Sequence, residues 1–231
     1  MSPGLSVSTI ADAAIALADA EGAGAVSMRR VGAALGVSGM ALYRHVGDRE
    51  DLVRRMVARV AGTLPPVPDG EAGWRETLRH LATTEWVAFE RHRWLVDVAV
   101  SPTRLVDATS ARGTETVLAR LVAAGLSPER AGDVFLGTAA LVIGIARVTL
   151  GPGGDRPVEY AADDAGDAPP GVLATRFRDG PLDADRGRRL LDTALDAYLV
   201  GVAATIDPDP HHPAPHPAPG GTRANDRKDQ T

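Results

Sequence analysis

Tyr43, Arg44 and His45 stand in a row and place a phenol, a guanidinium and an imidazole on one turn of backbone. Such a set donates hydrogen bonds and carries positive charge, which suits phosphate oxygens and the acceptor edges of bases. Arg29, Arg30 and Arg49 lie near by and extend that chemistry, and Ser27, Ser38, Gly39 and Met40, at the heads of the two short stretches that carry it, are expected at the same nucleic-acid contact, Gly39 and Met40 with Arg44 near base edges. Between Ala25 and Val60 the basic residues are Arg29, Arg30, Arg44, Arg49, Arg54, Arg55 and Arg59 against Asp48, Glu50 and Asp51. That is a local excess of four positive charges in a chain of net charge -5. A basic patch on an acidic protein suits a local footprint on nucleic acid rather than a general coat. Plainer roles stand beside these: Tyr43 as core, His45 facing the last carbonyls of a helix, and Arg54, Arg55 and Arg59 as a solvated helix face.

The spacing of apolar residues gives the elements that must hold this set. Val31, Ala34 and Leu35 recur at helical intervals, and Gly36 sits where a helix ends in the left-handed conformation. Ser38 is placed to cap a helix from Gly39 to His45, and Asp48 to cap the next, whose apolar face is Leu52, Met56 and Val60. Upstream, Thr9 with Asp12 reads as a capping box ahead of a stripe of Ile10, Ala14, Leu17 and Ala18. Two short helices joined by a tight turn form the helix-turn-helix arrangement, in which the second helix enters the major groove.

Residues Ile10 to Leu52 resemble the N-terminal domain of the Tet repressor family. The matching residues are Ala20-Glu21-Gly22 at the close of an amphipathic first helix, Met28-Arg29-Arg30-Val31, Ala34-Leu35-Gly36-Val37, Ala41-Leu42-Tyr43-Arg44-His45-Val46 and Asp48-Arg49-Glu50-Asp51-Leu52. The resemblance implies an all-α fold: an N-terminal three-helix DNA-binding domain with a linking fourth helix, joined to a helical ligand-binding and dimerisation domain. It also implies that small hydrophobic or amphipathic molecules bind the second domain and that the bound form releases DNA. Gly39 and Met40 stand where founding members carry larger or stiffer groups, so the operator sequence does not carry over.

A chain of 231 residues has room for both parts. The stretch from Gly62 to Gly73, rich in Pro and Gly, is the expected boundary. It gives a DNA-binding domain with its linking helix over 1–62, an effector-binding and dimerisation domain over 63–206, and a disordered tail over 207–231. Helices are expected from Trp74 to about His92, from Trp94 to Val100, from Thr109 to Ala124, from Pro128 to about Leu150 behind Ser127 as cap, and from Asp183 to about Thr205. An acidic, glycine-rich loop over Gly151 to Gly171 and a short turn near Val172 to Arg178 separate the last two.

Trp86, Phe89, Trp94 and Phe135 are the expected walls of a pocket between these helices, with plain core as the other role open to each ring. Arg93, Thr138 and Arg147 interrupt apolar surroundings where they can meet polar groups of an effector, Arg147 being equally suited to favour its helix C-terminus. The apolar sides around Leu136, Ala140, Ile143 and Gly144 and around Leu191, Leu195, Tyr198 and Val202 exceed what one small domain needs. They are expected to pair between two copies as a four-helix interface, because palindromic half-sites require a twofold protein.

Other chemistry is poorly provided for. The chain has no cysteine, no Gly-x-Ser-x-Gly, no His-Glu-x-x-His and no dinucleotide fingerprint. His80, Glu85 and His92, at offsets of five and seven, do not share a helix face, and His211, His212 and His216 fall in a proline-rich tail. No enzymatic activity, metal or cofactor is expected. No stretch reads as apolar for long enough to span a bilayer, and the N-terminus lacks the pattern of a signal peptide, so a cytoplasmic location without a membrane partner is expected. The reading is a ligand-responsive transcriptional repressor, homodimeric on a double-stranded DNA operator and released by a small amphipathic effector. The alternative is a DNA-binding regulator whose C-terminal domain only dimerises or contacts another protein.

Overall fold

A computed structural model describes residues 5–68, 70, 72–99, 108–151 and 183–207. The described residues are helical throughout, with no strand among them. The loop expected from Gly151, the turn at 172–178 and the tail after 207 lie outside this description, apart from Gly151 itself.

Five caps fix where helices begin, each a side-chain oxygen satisfying an amide that the first turn leaves without a partner. Helix α1 spans Val7–Glu21, and its cap is Ser6, which accepts from the Thr9 amide at 3.1 Å. The cap therefore lies three residues upstream of the expected Thr9–Asp12 box, and Asp12 is engaged with Arg59 instead. A 3-10 turn over Ala23–Ala25 leads to α2, Met28–Ala34, capped by Ser27 through the Arg30 amide at 3.3 Å. Gly36 has φ 71°, the left-handed conformation expected of it. Helix α3 spans only Gly39–Leu42 and not the stretch to His45, with Tyr43 closing it. The reason is local: the His45 and Val46 amides both bond the Leu42 carbonyl, so the chain turns there. Ser38 holds the capping position, but its side chain makes no cap bond. Helix α4, Arg49–Ala61, is capped by Asp48 through the Asp51 amide at 2.7 Å, and Asp51 reaches back to the Gly47 amide at 2.9 Å. Ile10, Ala14, Ala18, Val31, Leu42, Val46, Leu52, Met56 and Val60 are buried and hold the four helices together. Full burial of side chains of the Leu, Ile or Met kind stabilises by about 1.5–3 kcal/mol each.

The second unit comprises α5 (Trp74–Arg91), α6 (Trp94–Ala99), α7 (Ala108–Ala123), α8 (Pro128–Thr149, capped by Ser127) and α9 (Ala184–Ile206, capped by Asp183). Helix α8 packs against α5, α6, α7 and α9 and is the central element. Gly187 lets α9 approach closely, since a Cβ there would fall 2.6 Å from the Trp86 ring and 2.5 Å from the Thr149 hydroxyl. Contrary to the bilayer expectation, α8 is by length and composition alone apolar enough to cross a membrane. Part of that apolar surface is used against its four neighbours and part faces outward.

The outward faces also correct the expected dimer surface. Leu191, Leu195 and Val202 are buried within the chain, and Tyr198 donates to the Val134 carbonyl at 3.0 Å, so these four join α9 to its own α8. Burial raises the Tyr198 hydroxyl above the usual tyrosine range. Leu136, at 54% exposure, Ala140 and Gly144 do face outward, and Ile143 is half-buried. On α9 the outward apolar residues are Leu190, Ala197, Val200 and Ala204.

Candidate nucleic-acid interface

Helix α3 lies on the surface with Leu42 and, just beyond, Val46 turned into the core. Two glycines let its backbone rest on α2. A Cβ on Gly32 would fall 2.9 Å from both the Gly39 nitrogen and the Val37 carbonyl oxygen, and one on Gly39 would fall 3.2 Å from Arg29 Cα. The opposite side of α3 is thereby presented to solvent: Met40 is 75% and Tyr43 50% exposed, Ser38 and Arg44 are exposed, and Gly39 and His45 are partly covered.

The basic residues divide by partner. Arg30 pairs with Glu21 at 2.5 Å, Arg59 with Asp12 at 2.8 Å, and Arg55 and Arg54 with Asp51 at 2.9 and 3.6 Å. Exposed pairs of this kind add little stability, but they neutralise the field of the side chains they engage. Arg54, Arg55 and Arg59 are thus paired rather than simply solvated. Arg49 donates from Nε to the Val26 carbonyl at 3.0 Å and from Nη2 to the Ala23 carbonyl at 2.9 Å. Expected on phosphate, it ties α4 to the 3-10 turn. Arg29 and Arg44 are exposed and have no carboxylate partner among the described residues. The local excess of charge therefore resolves into two open guanidinium groups, both beside α3. The Gly47 amide, with help from Arg55 and Arg54, holds the Asp51 carboxyl below the usual carboxylate range.

The residues expected to bind an effector divide between the core and the surface. Trp86 is fully buried, Phe89 is buried and Phe135 is half-buried, all within the core of the second unit. The Trp86 indole nitrogen has no hydrogen-bond partner among the described residues. Thr138 is buried, with its hydroxyl donating to the Val134 carbonyl at 2.9 Å. Arg93 and Arg147 are exposed, and Arg147 pairs with Asp97 of α6, so it points away from the core. Among the described residues the buried arginine is Arg186 of α9, which sits in the charged run Asp185-Arg186-Gly187-Arg188-Arg189 and carries no local sign of burial. Two surface grooves, of about 320 and 570 Å³, are lined respectively by Trp74, Arg75 and the end of α9, and by the outer side of α7. None of the expected pocket residues lines either.

Trp94 has a different place. It is buried at the junction of the two units, and its Nε1 donates to Asp19 Oδ1 at 2.8 Å, the same oxygen that His92 Nδ1 approaches at 2.8 Å. Asp19 belongs to α1, so one carboxylate oxygen joins the first helix to the start of α6. Partners this far apart in sequence leave no local signal. No cluster of three His, Asp or Glu suited to a metal occurs among the described residues.

Comparison with known proteins agrees with this architecture. Residues 10–56 match the family described as bacterial regulatory proteins, tetR family, and residues 66–162 match the tetracyclin repressor-like C-terminal domain. The HTH-type transcriptional repressor DrrR1 of Streptomyces coeruleorubidus is 34% identical over 149 residues, 64% of this chain and 55% of that protein. The chain thus spans about half the length of the curated relatives it matches. The crystal structure of ActR from Streptomyces coelicolor in complex with actinorhodin superposes with a TM-score of 0.71 at 25% identity, covering 90% of this chain and 99% of that one. A variant of TetR from Acinetobacter baumannii AYE in complex with minocycline has the same fold, with a TM-score of 0.68 at 19% identity over 88% and 99% of the two chains. An exposed one-turn helix backed by glycines, an all-helical second unit and these two matched regions together place the chain in the tetR family of bacterial regulatory proteins.

Proposed function

We propose that the chain is a repressor that binds a palindromic operator as a homodimer and is released by a small amphipathic effector. The observation that carries the DNA part is the pair of open guanidinium groups, Arg29 and Arg44, flanking a helix whose Tyr43 and Met40 also face outward. Ser27, Ser38, Gly39 and His45 adjoin that surface, whereas Arg30 and Arg49 are engaged within the fold. The DNA-binding domain with its linking helix ends near residue 62, and the cytoplasm is where its partner lies. Dimerisation uses the outer stripes of α8 and α9, with Leu136, Ala140, Gly144 and Val148 recurring every fourth residue beside Leu190, Ala197, Val200 and Ala204. Small residues in both stripes permit close helix approach.

The complex of ActR with actinorhodin supports responsiveness to a small molecule, for which we take the second unit as the site. There the Trp86 indole N–H is a buried donor suited to an acceptor oxygen on an otherwise apolar molecule. An effector acts only through its different affinity for the DNA-competent and DNA-incompetent states. The burial of Trp86 and Phe89 within the core favours the second reading, in which this unit dimerises and senses nothing.

The DNA interface is tested by titrating a bound duplex over a range of salt. Arg44→Ala is expected to cost about 1–3 kcal/mol and to relax preference at one base pair, as for loss of a bidentate guanine contact. Arg49→Ala is expected to leave the salt slope unchanged and to lower the melting temperature, because it ties backbone. The reverse pattern contradicts the assignment.

A further inference from the structure

The N-terminal unit presents a long apolar side chain that its core does not use. Met40, at 75%, is the most exposed large hydrophobic residue among those described. It stands second in α3, with Tyr43 and Arg44 three and four positions further on. Around it the surface is polar and cationic, with the Tyr43 phenol and the open guanidinium groups of Arg29 and Arg44. Met40 is the apolar point on a hydrogen-bonding surface.

Where α3 enters the major groove, as proposed above, this side chain meets base edges with no N–H or O–H to offer. Against the amino groups of adenine and cytosine or the keto oxygen of guanine it strips water and supplies no strong partner, which is unfavourable. The apolar feature of that groove is the C5-methyl of thymine. We infer that Met40 is a specificity-determining residue that reads a pyrimidine C5-methyl group in each operator half-site. The inference rests on α3 being the groove helix, and it adds what the helix recognises there. Recognition follows the methyl and not the pairing identity of the base. Thymine is preferred over uracil at that position, and 5-methylcytosine over cytosine. Burying one such group corresponds to about fourfold in affinity, and to about fifteenfold when both half-sites of a symmetric duplex are changed.

The test begins with a duplex enriched by the wild-type chain from a randomised library. Each thymine is replaced in turn by deoxyuridine in both half-sites, and Kd is measured for wild type, Met40→Ala and Met40→Leu. At one thymine per half-site the replacement is expected to weaken wild type and Met40→Leu by about fifteenfold and to leave Met40→Ala nearly unchanged. At the same position 5-methylcytosine is expected to bind wild type more tightly than cytosine. If every deoxyuridine duplex binds wild type as well as its thymine parent, or if the full loss persists in Met40→Ala, the inference is overturned. In either case the groove helix still stands so long as Arg44→Ala and Tyr43→Ala weaken the parent duplex. If no duplex is enriched, or if neither of those variants has any effect, the groove assignment itself fails and this inference with it.

Discussion

Arg49 and Arg44 are the same letter five positions apart, and the fold ties the first to backbone carbonyls and leaves the second exposed. The sequence shows seven arginines near the helix-turn-helix but not their partners, because those partners are distant. Arg59 meets Asp12 across 47 positions, and Arg49 meets carbonyls 23 and 26 positions back. The exposed Tyr43 and Arg44 were legible from their neighbours, whereas the junction of Asp19 with His92 and Trp94 spans 73 and 75 positions and was not. Asp51 supports a prediction at this scale. Its carboxyl is held below the usual range chiefly by the Gly47 amide, so its folded form binds protons less readily than its unfolded form. The resulting stabilisation is fully present above about pH 4, where the unfolded carboxylate is ionised, and is lost as pH falls from there through the lowered folded value. Urea unfolding as a function of pH is expected to show wild type more stable than Asp51→Asn at neutral pH, with the difference shrinking in acid. A difference independent of pH contradicts this.

At the scale of elements, three helix starts were readable from the residues directly ahead of them. Asp48, Ser127 with Pro128, and Asp183 mark α4, α8 and α9 as expected. The reading failed where a neighbour competes or where the turn is set by tertiary packing. Ser6 supplants Thr9, and α3 stops at Leu42 because the Leu42 carbonyl takes the amides of both His45 and Val46. The contact of α2 with α3 depends on Gly32, whose missing Cβ leaves space filled by the backbone of Val37 and Gly39. Backbone cannot rotate aside as a side chain does. Gly32→Ala is therefore expected to open the crossing, destabilise the unit by about 1–3 kcal/mol and abolish DNA binding, as read by thermal unfolding and duplex titration. Substitution at Gly24, which faces open space, is the control and is expected to change little.

At the scale of the whole molecule, periodicity shows that α9 is apolar but not which side turns inward, because both sides carry apolar residues. Leu191, Leu195, Leu199 and Val202 face the core, while Leu190, Ala197, Val200 and Ala204 face out. The two sides separate folding from assembly. Leu195→Arg buries a charge and is expected to destabilise by about 3 kcal/mol or more, whereas Val200→Arg is expected to keep the fold and yield a monomer by sedimentation. A Val200→Arg chain that still sediments with wild type removes the outer stripes as the dimer surface. On the proposed function assembly matters, because a one-turn helix reads few base pairs and specificity then requires two copies on a symmetric site. The most direct measurement is enrichment of duplexes from a randomised library by the intact chain, followed by the stoichiometry of the complex. The expected result is an inverted repeat whose half-sites lie about 34–36 Å apart, or a multiple of that spacing, bound by two copies with affinity falling steeply with salt. Enrichment of no sequence, or binding of a lone half-site by one copy as tightly as the repeat is bound by two, contradicts the account.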